Sequence, residues 1–437
     1  MAARDYNKPV FQFIILSFCI VFGAFIVGSM FFAKESIEQP FLLIETACGA
    51  ICIGGLALSL RIKNINQLLF CVFVASFAVS LATRVFFLDY YQKPFGLAVD
   101  SYNYDKMVIP LLQKGFSHLN KNLETDDLGY TFTLYNVYKL AGWVELGRGL
   151  MLLLNSSLLV GSSYLLFRLA LIMDFSVREA IIAAGLYGFN PFLYVNSSVG
   201  LKEVIFCFLI IASLFFMLKW KLRKGNGNLI LCLGFIISTL FFRTVICLML
   251  LICMALCVVI NDSNKKKMLR IMVIAGICSP IFANIILEAF ADVSLEHVMK
   301  VAQARNTSIG SGSKGLLVQV CAAFLGPFPN FFKLGKYALL FSGGILLKSI
   351  LNLFYFIGVW KVIQNLDYKF FPPALYSVFG IILVMLSGVA LDMRFAITFL
   401  PATILIVLHG IRGLRMSRYF YLYLTVLVII TAFYNVR

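Results

Sequence analysis

The sequence predicts an all-α protein, a polytopic transmembrane helical bundle of about 12–13 spans. Three observations predict this fold class. Hydrophobic residues make up 61% of the 437 residues and charged residues only 13%, whereas roughly 25% charge is usual in soluble domains. The mean hydropathy is +0.93. Finally, many apolar runs carry one charge or none, and backbone groups inside a bilayer find hydrogen-bond partners only within helices.

The apolar runs mark the predicted spans. Each is near the roughly 20 residues that cross a hydrocarbon layer about 30 Å thick. Because the runs recur along the whole chain, residues 1–437 are predicted to form a single integral membrane domain. The spans lie near residues 9–33, 41–60, 67–88, 149–171, 179–197, 203–220, 228–242, 244–260, 271–290, 338–360, 371–390, 395–411 and 419–435.

Basic residues predict how the spans are oriented. With the N-terminus inside, several short basic connections fall on one side, which the positive-inside rule makes cytoplasmic. The net charge of +17 is therefore attributed to membrane orientation, and no binding to nucleic acid is expected. These connections carry Arg61 and Lys63; Lys219, Lys221, Arg223 and Lys224; Lys265, Lys266, Lys267 and Arg270; and Arg412, Arg415 and Arg418.

Two long connections, 89–148 and 291–336, then lie on the opposite, external side. We expect these loops to contain short helices on the membrane surface, because apolar residues recur in them at helical spacing. Acidic residues concentrate in the first loop, which makes it the predicted working surface. They are Asp89, Asp100, Asp105, Glu124, Asp126, Asp127 and Glu145.

The first loop holds the candidate catalytic residues, Asp100 and Asp105, in the stretch VDSYNYDKM. A surface helix would hold both carboxylates against the bilayer instead of leaving them loose in water. A carboxylate in that position is suited to act as the general base for an incoming hydroxyl group. The alternative is a solvated loop with ordinary surface acids.

A second candidate site lies in NPFLYVNSSVGLKE, residues 190–203. The Asn-Pro step is predicted to break one helix, and Ser197 and Ser198 to cap the next. Lys202 and Glu203 at the start of that next helix are candidate substrate-binding residues, since a lysine beside exposed backbone N–H groups suits a phosphate. Alternatively, Glu203 only stabilises the helix N-terminus.

Four arginines are further candidates for binding a phosphate. Arg84 ends the third span, Arg243 lies between two spans, Arg305 lies in the second loop, and Arg394 lies in the connection ALDMRF. The guanidinium fork matches phosphate oxygens bidentately, which makes arginine at a membrane edge suitable for a pyrophosphate. The alternative for any one of them is an interfacial anchor that snorkels to the headgroups.

No transition-metal site and no cofactor are predicted. The three histidines are scattered, without acids at ligand spacing beside them. The cysteines lie in or beside apolar segments and form no CxxC pair. Binding of Mg²⁺ to Asp100 or Asp105 stays open.

The order of these motifs resembles the GT-C superfamily of polytopic glycosyltransferases. An acid opens the first large external loop, here Asp100 in VDSYNYDKM, and surface helices follow it, here through LYNVYKLAG. PFLYVNSSVGLKE is similar to the helix break and Lys-Glu pair of bacterial members, and MRFAITFLP to their late arginine. The resemblance implies Asp100 as catalytic base and Arg394 as a contact to the donor phosphate. In this chain the acidic loop follows the third span instead of the first.

The leading hypothesis is a glycosyltransferase of bacterial envelope glycan synthesis, similar to serotype-converting glucosyltransferases of O-antigen and lipopolysaccharide. It places the chain in the inner membrane, with its N-terminus in the cytoplasm. The expected partners are an undecaprenyl-phosphate-linked sugar as donor, a glycan acceptor, membrane lipid and other envelope-glycan assembly proteins. Two alternatives stay open: an O-antigen or capsule polymerase that joins lipid-linked repeat units, and a flippase or transporter.

Overall fold

The computed structural model describes residues 7–32, 39–95, 99–119, 125–223, 225–259, 320–322, 328–332, 336–365, 367–386 and 393–436, with isolated residues between 294 and 326. Within these residues the regular structure is entirely helical, and no β-strand occurs. The predicted all-α fold class is therefore confirmed.

The helices follow one another through short connections. A single 3₁₀ turn, Phe116–His118, lies between the fourth and fifth α-helices. In chain order the α-helices are α1 (Lys8–Phe32), α2 (Gln39–Ser59), α3 (Ile65–Tyr91), α4 (Val99–Lys114), α5 (Thr125–Ala141), α6 (Val144–Ile172), α7 (Val177–Gly188), α8 (Pro191–Ser198), α9 (Glu203–Arg223), α10 (Asn226–Leu240), α11 (Thr244–Val259), α12 (Lys336–Asn365), α13 (Phe371–Leu386), α14 (Met393–Ile411) and α15 (Arg418–Val436).

Seven of the described helices, α1, α2, α3, α6, α9, α12 and α15, are long and apolar enough to cross a membrane. Four more apolar helices, α10, α11, α13 and α14, are shorter. Each predicted span within the described residues coincides with helix, and the predicted span 271–290 lies outside them. The chain is thus a membrane-spanning helical bundle.

The predicted span 179–197 consists of two helices, α7 and α8. The side chain of Asn190 accepts a hydrogen bond from Phe192 N at 3.0 Å, and Pro191 occupies the first turn of α8. Proline is favoured there, because the first helical residue needs no intrahelical N–H donor. Every residue of α8 is buried, so this short helix lies inside the bundle.

One expected detail of this region is wrong. Ser197 and Ser198 do not cap α9, because both lie within α8. The Ser198 hydroxyl donates to Val195 O at 2.7 Å instead. Residues 199–202 form a turn between the serines and α9. A capping side chain belongs to the residue directly before the helix, and neither serine has that position.

The long helix α6 separates two charged ends of the bundle. Its 29 residues extend roughly 43 Å at 1.5 Å per residue. At its start, Glu145 pairs with Arg84 at the end of α3. Beyond its other end, the carbonyl of Asp174 accepts a hydrogen bond from Arg412, which follows α14. We call these two regions the loop end and the basic end.

Basic residues in or next to three described connections meet at the basic end. Arg412 contacts Glu179 of α7 at 3.1 Å, and Lys369 pairs with Asp174. The ammonium of Lys221, in the last turn of α9, lies 5.4 Å from the centre of the Tyr368 ring. These contacts place the connections after α9, α12 and α14 opposite the first long loop, as predicted. The assignment of this end to the cytoplasm stays a prediction.

The first long loop forms two helices, as expected. Within α4, Tyr104, Val108 and Leu111 are buried, and Tyr130 and Leu134 are buried within α5. This spacing places the buried side chains on one face of each helix, where α4 and α5 pack against each other. The helix α5 also packs on α6, so the first loop is a folded layer on the loop end of the bundle.

Candidate functional site

The candidate site lies where α4 and α5 contact the ends of the spanning helices. Charged side chains of five helices and one turn converge there. We call this set the loop-end cluster; it consists of Arg84, Asp105, Asp127, Glu145, Arg148, Lys202 and Glu203.

Asp105 is the most completely bonded acid of the cluster. It is 4% exposed, and Arg148 pairs with it through Nη2. The hydroxyl of Tyr138 donates to Asp105 Oδ1 at 2.7 Å. Burial, and then the negative charge of Asp105, raise the pKa of Tyr138 above its ordinary value, so this phenol stays protonated and donates. The carboxylate therefore holds α4, α5 and α6 together.

The same arginine extends the network to α3. Arg148 Nη1 pairs with Glu145 one turn earlier in α6, and Glu145 Oε2 accepts from Arg84 Nη2 at 3.1 Å. The guanidinium of Arg148 also lies 5.7 Å from the centre of the Phe95 ring. Arg84, a predicted phosphate-binding residue, is 6% exposed and forms part of this bridge.

Asp127 of α5 organises a second group. It accepts from Tyr104 Oη at 2.6 Å and from Lys202 Nζ at 2.6 Å. Burial, and next the hydrogen bond to Asp127, raise the pKa of Tyr104 well above its ordinary value. The phenol therefore remains a donor at neutral pH. Through this group Lys202 reaches the first loop, although 75 residues separate it from Asp127.

Glu203 lies beside these residues at the start of α9. It is 3% exposed, and its Oε2 atom is buried without a hydrogen-bond partner. A buried carboxylate oxygen normally has a donor, because an unsatisfied one loses the hydration it had in water. This atom is therefore an unsatisfied polar group of the cluster.

The turn before α9 depends on glycine. Gly200 has a φ of +67°, and its carbonyl accepts from the hydroxyl of Tyr130. A Cβ atom at this position would lie 3.0 Å from Cε1 of Phe95. Glycine thus supplies both the left-handed backbone and the space that the loop layer occupies.

Asp100 lies in the first helical turn of α4, next to the turn of residues 199–202 that precedes α9. The neighbouring Ser101 hydroxyl donates to Val199 O at 2.5 Å. This bond fastens the start of α4 to the residues that precede Lys202 and Glu203. The side chain of Asp100 is half-buried.

Arg243 lies on the opposite flank of the loop layer. Its guanidinium carbon lies 5.4 Å from the centre of the Phe206 ring, one turn into α9. Gly129 N of α5 donates to Phe241 O at 2.8 Å, which joins the loop to the connection between α10 and α11. A Cβ atom at Gly129 would lie 2.7 Å from the Phe242 ring, so this close approach requires glycine.

The backbone places Arg394 in the first turn of α14, and its side chain is outside the described residues. The thiol of Cys207 donates to Ile397 O at 3.6 Å. Since Cys207 is one turn from Glu203 and Ile397 one turn from Met393, the start of α14 belongs to the same end of the bundle. Arg305 and nearly all of the second long loop lie outside the described residues.

The structure thus brings Arg84, Asp105, Lys202 and Glu203 into one cluster, with Asp100 and Arg243 at its edges. Sequence patterns did not single out its remaining members as site residues. These are Asp127, Glu145 and Arg148, and the two tyrosines that donate to its acids, Tyr104 and Tyr138, were not singled out either. The sequence could have predicted one of these contacts, the ion pair between Glu145 and Arg148, because residues three apart are neighbours on one helix face.

Among the residues that the structure describes, no three His, Cys, Asp or Glu side chains are grouped closely enough to hold a metal ion. Asp105 is already engaged by a guanidinium and a phenol. The alternative of Mg²⁺ binding to Asp100 stays open.

Compared with known proteins, the sequence matches no family model and no curated protein.

Proposed function

We propose that the chain is a membrane glycosyltransferase of bacterial envelope glycan synthesis. It moves a sugar from a polyprenyl-phosphate carrier to an O-antigen or similar glycan on the external face of the inner membrane. The observation that carries the proposal is the bond from Ser101 to Val199, which fastens the turn bearing Asp100 beside Lys202 and Glu203. A carboxylate, a lysine and a buried unpartnered acceptor at a membrane edge fit this reaction.

In the proposed reaction, Asp100 accepts the proton of the acceptor hydroxyl. The hydroxyl oxygen then attacks the anomeric carbon of the donor sugar. The bond from that carbon to the phosphate oxygen breaks, and the departing polyprenyl phosphate keeps the electron pair. A positioned general base of this kind contributes about 10²–10⁴-fold to the rate.

The departing phosphate gains negative charge and needs cations. Lys202 is the proposed first contact, with Arg243 and Arg394 as further cations at the same end of the bundle. In the present structure the ammonium group of Lys202 forms an ion pair with Asp127. A donor phosphate would therefore compete with Asp127 for the ammonium group, and Tyr104 would keep Asp127 hydrogen-bonded when the lysine turns toward the phosphate.

Asp105 has a positioning role in this proposal. Its oxygens are already engaged by Arg148 and Tyr138, so an acceptor hydroxyl would have to displace one of these contacts. Asp105 instead anchors α4, the helix that carries Asp100. The two acids of the first loop thus divide into a base and an anchor.

The surface beside the cluster suits a lipid-linked donor. On α3, Leu81 and Val85 are 45% and 58% exposed next to the buried Arg84. At the junction of α5 and α6, Leu140 is 83% and Trp143 67% exposed. Tryptophan is enriched at membrane interfaces, so these side chains favour contact with lipid. A prenyl chain would reach the cluster from within the bilayer.

The test is mass spectrometry of envelope glycans from cells with the gene, cells without it, and cells carrying Asp100→Asn. We expect one additional sugar per repeat unit only with the active gene. A change in chain length instead would indicate a polymerase, and Arg305→Ala would then be the variant that abolishes activity. Unaltered glycans in all three strains would contradict the proposal and leave the flippase hypothesis.

A further inference from the structure

A second polar site is buried within the bundle on α2, and it shares no contact with the ion pairs of the loop-end cluster. Glu45 is the only acidic residue of α2, within the candidate span Phe41–Ser59. Its side chain is completely buried, at 0% exposure. Ionisable residues inside membrane spans are rare and mark functional sites, which directs attention to the partners of this carboxyl group.

The two oxygens of Glu45 differ. Oε1 accepts from the backbone N–H of Gly343 in α12 at 2.6 Å. Oε2 is buried and has no hydrogen-bond partner. No described lysine or arginine forms an ion pair with this carboxyl group. Lys348, further along α12, donates to the carbonyl of Gly326.

Two adjacent glycines make this site possible. A Cβ atom at Gly343 would lie 2.7 Å from Glu45 Oε1 and 3.2 Å from Phe22. A Cβ atom at Gly344 would lie 2.7 Å from the Phe192 ring of α8. The glycine pair therefore lets both α2 and α8 approach the backbone of α12, and the carboxyl group occupies the space at their junction.

Complete burial without a cation favours the protonated form of Glu45. An ionised carboxylate without a cation at this depth would lose its hydration with nothing to replace it. A neutral carboxyl has one hydroxyl donor and one carbonyl acceptor. The carbonyl corresponds to Oε1, which takes the Gly343 N–H, and the hydroxyl to Oε2.

We propose that Glu45 carries a proton in the folded protein and forms a proton-binding site at the junction of α2, α8 and α12. Release of this proton would leave a buried carboxylate whose one donor is the Gly343 N–H, at the contact between α2 and α12. The other titratable groups around the site are Cys48 and Cys52 on α2 and Tyr194 on α8, and Lys348 lies further along α12. This inference is independent of the proposed glycosyltransferase activity.

Labelling with a carbodiimide tests the proposal directly. A protonated carboxyl adds across one C=N bond of the reagent: its oxygen bonds to the central carbon and its proton passes to nitrogen. The resulting O-acylisourea rearranges to a stable N-acylurea, so the peptide gains the mass of one intact reagent molecule. An apolar reagent, dicyclohexylcarbodiimide, reaches protonated acids inside a bilayer, whereas a water-soluble carbodiimide reaches exposed acids.

The full-length wild-type protein in membranes is treated with each reagent, and labelled peptides are mapped by mass spectrometry. We expect dicyclohexylcarbodiimide to label Glu45 about tenfold or more over Glu145, a 46% exposed and ion-paired control, because burial favours the neutral form. The water-soluble reagent should leave Glu45 unlabelled. Absence of the Glu45 adduct, when the same reagent labels Glu45 in the detergent-unfolded chain, would overturn the proposal.

The variant Glu45→Gln supplies the matched control. Its amide oxygen still accepts from Gly343 and its NH₂ group replaces the hydroxyl, so we expect the label to disappear without a change in the thermal midpoint. A large drop in that midpoint would reveal a buried cation that had been paired with an ionised Glu45, and would contradict the proposal.

Discussion

Charged clusters lie at both ends of α6, but the two clusters connect different parts of the molecule. At the basic end we define the Arg412 cluster as Asp174, Glu179, Lys361, Lys369 and Arg412. Its contacts join the connections and helix ends that lie opposite the first loop. The loop-end cluster joins the folded first loop to the spanning helices, and it alone of the two contains a buried carboxylate oxygen without a partner, Glu203 Oε2.

The Arg412 cluster is built from helix ends. Glu179 accepts from the backbone N–H of Ser176 at 2.8 Å within a capping box and also pairs with Arg412. Lys361 donates to the carbonyls of Gly410 at 2.7 Å and Arg412 at 2.6 Å, which are the free carbonyls at the end of α14. A cation at a helix C-terminus also favours the helix dipole. These features account for the cluster as a structural connection.

The comparison teaches that charge density alone does not identify a functional site. Both clusters combine buried acids with basic residues. The unsatisfied group of the loop-end cluster is a carboxylate oxygen covered by the loop layer, whereas the unsatisfied atoms at the basic end are the two ring nitrogens of His409, beside Lys361. Substitutions matched between the two ends can test whether this difference corresponds to function.

The largest expected effect is on activity. Asp100→Asn should reduce sugar transfer by about 10²–10⁴-fold, because the amide cannot accept the proton of the acceptor hydroxyl. Glycan mass spectrometry after complementation measures this loss. The control Asp174→Asn changes a 71% exposed acid of the Arg412 cluster and should leave transfer unchanged. Equal transfer by both variants would remove Asp100 from the proposed mechanism.

The next effect is on stability. Arg148→Met should lower the free energy of unfolding by roughly 3–5 kcal/mol, because it leaves Asp105 buried without its cation. Arg412→Met should cost less, about 1–3 kcal/mol, since Glu179 keeps its bonds to Ser176. Thermal unfolding in detergent measures the difference, and limited proteolysis within residues 89–148 reports release of the loop.

A double variant sharpens this result. Asp105→Asn combined with Arg148→Met removes the buried charge as well as its partner, so it should be more stable than Arg148→Met alone. If the double variant were less stable than the single one, Asp105 would not depend on Arg148 for neutralisation.

A smaller effect is expected for alanine substitutions at two glycines with a left-handed backbone, only one of which is closely packed. Gly200 and Gly413 have φ values of +67° and +69°. Alanine at either position should cost about 1–2 kcal/mol for the left-handed backbone. Only Gly200→Ala adds a contact with Phe95, whereas a Cβ atom at Gly413 meets nothing within 4 Å. Of the two variants, we expect only Gly200→Ala to reduce sugar transfer. Equal transfer in both variants would mean that the turn containing Gly200 is not part of the functional site.

The smallest effect belongs to the pair between Lys369 and Asp174. Because Asp174 is 71% exposed, Lys369→Met should change the free energy of unfolding by no more than about 1 kcal/mol. The change should shrink further as salt is raised, which denaturation at two ionic strengths would show. A loss as large as that of Arg148→Met would mean that the Arg412 cluster is as dependent on single charges as the loop end.

Much of the fold was predictable because its causes are local. Pro191 cannot continue a helix, and the break between α7 and α8 falls at that residue. The apolar spacing around Leu111 and Tyr138 likewise indicated helices in the first loop. The capping role given to Ser197 and Ser198 was wrong, because α8 extends through both residues before the turn.

The candidate site was predictable only in part. Asp105 and Lys202 stood out by their residue types, but their partners Arg148 and Asp127 did not. The first pair is separated by 43 residues and the second by 75. Sequence patterns within one helical turn carry no information about contacts between residues so far apart. The assignment of Asp105 as an anchor and Asp100 as the candidate base therefore required the packed structure.

The sequence alone therefore determined that the chain is helical and spans a membrane, since hydrophobicity and the hydrogen bonding of the backbone act on each segment separately. It also determined that most charged residues lie in the connections between the apolar runs. Only the tertiary structure decided which charges neutralise one another, and which oxygens, on Glu45 and Glu203, are buried without a partner. Pairing and burial depend on distances between remote segments, and these distances are set when the helices pack.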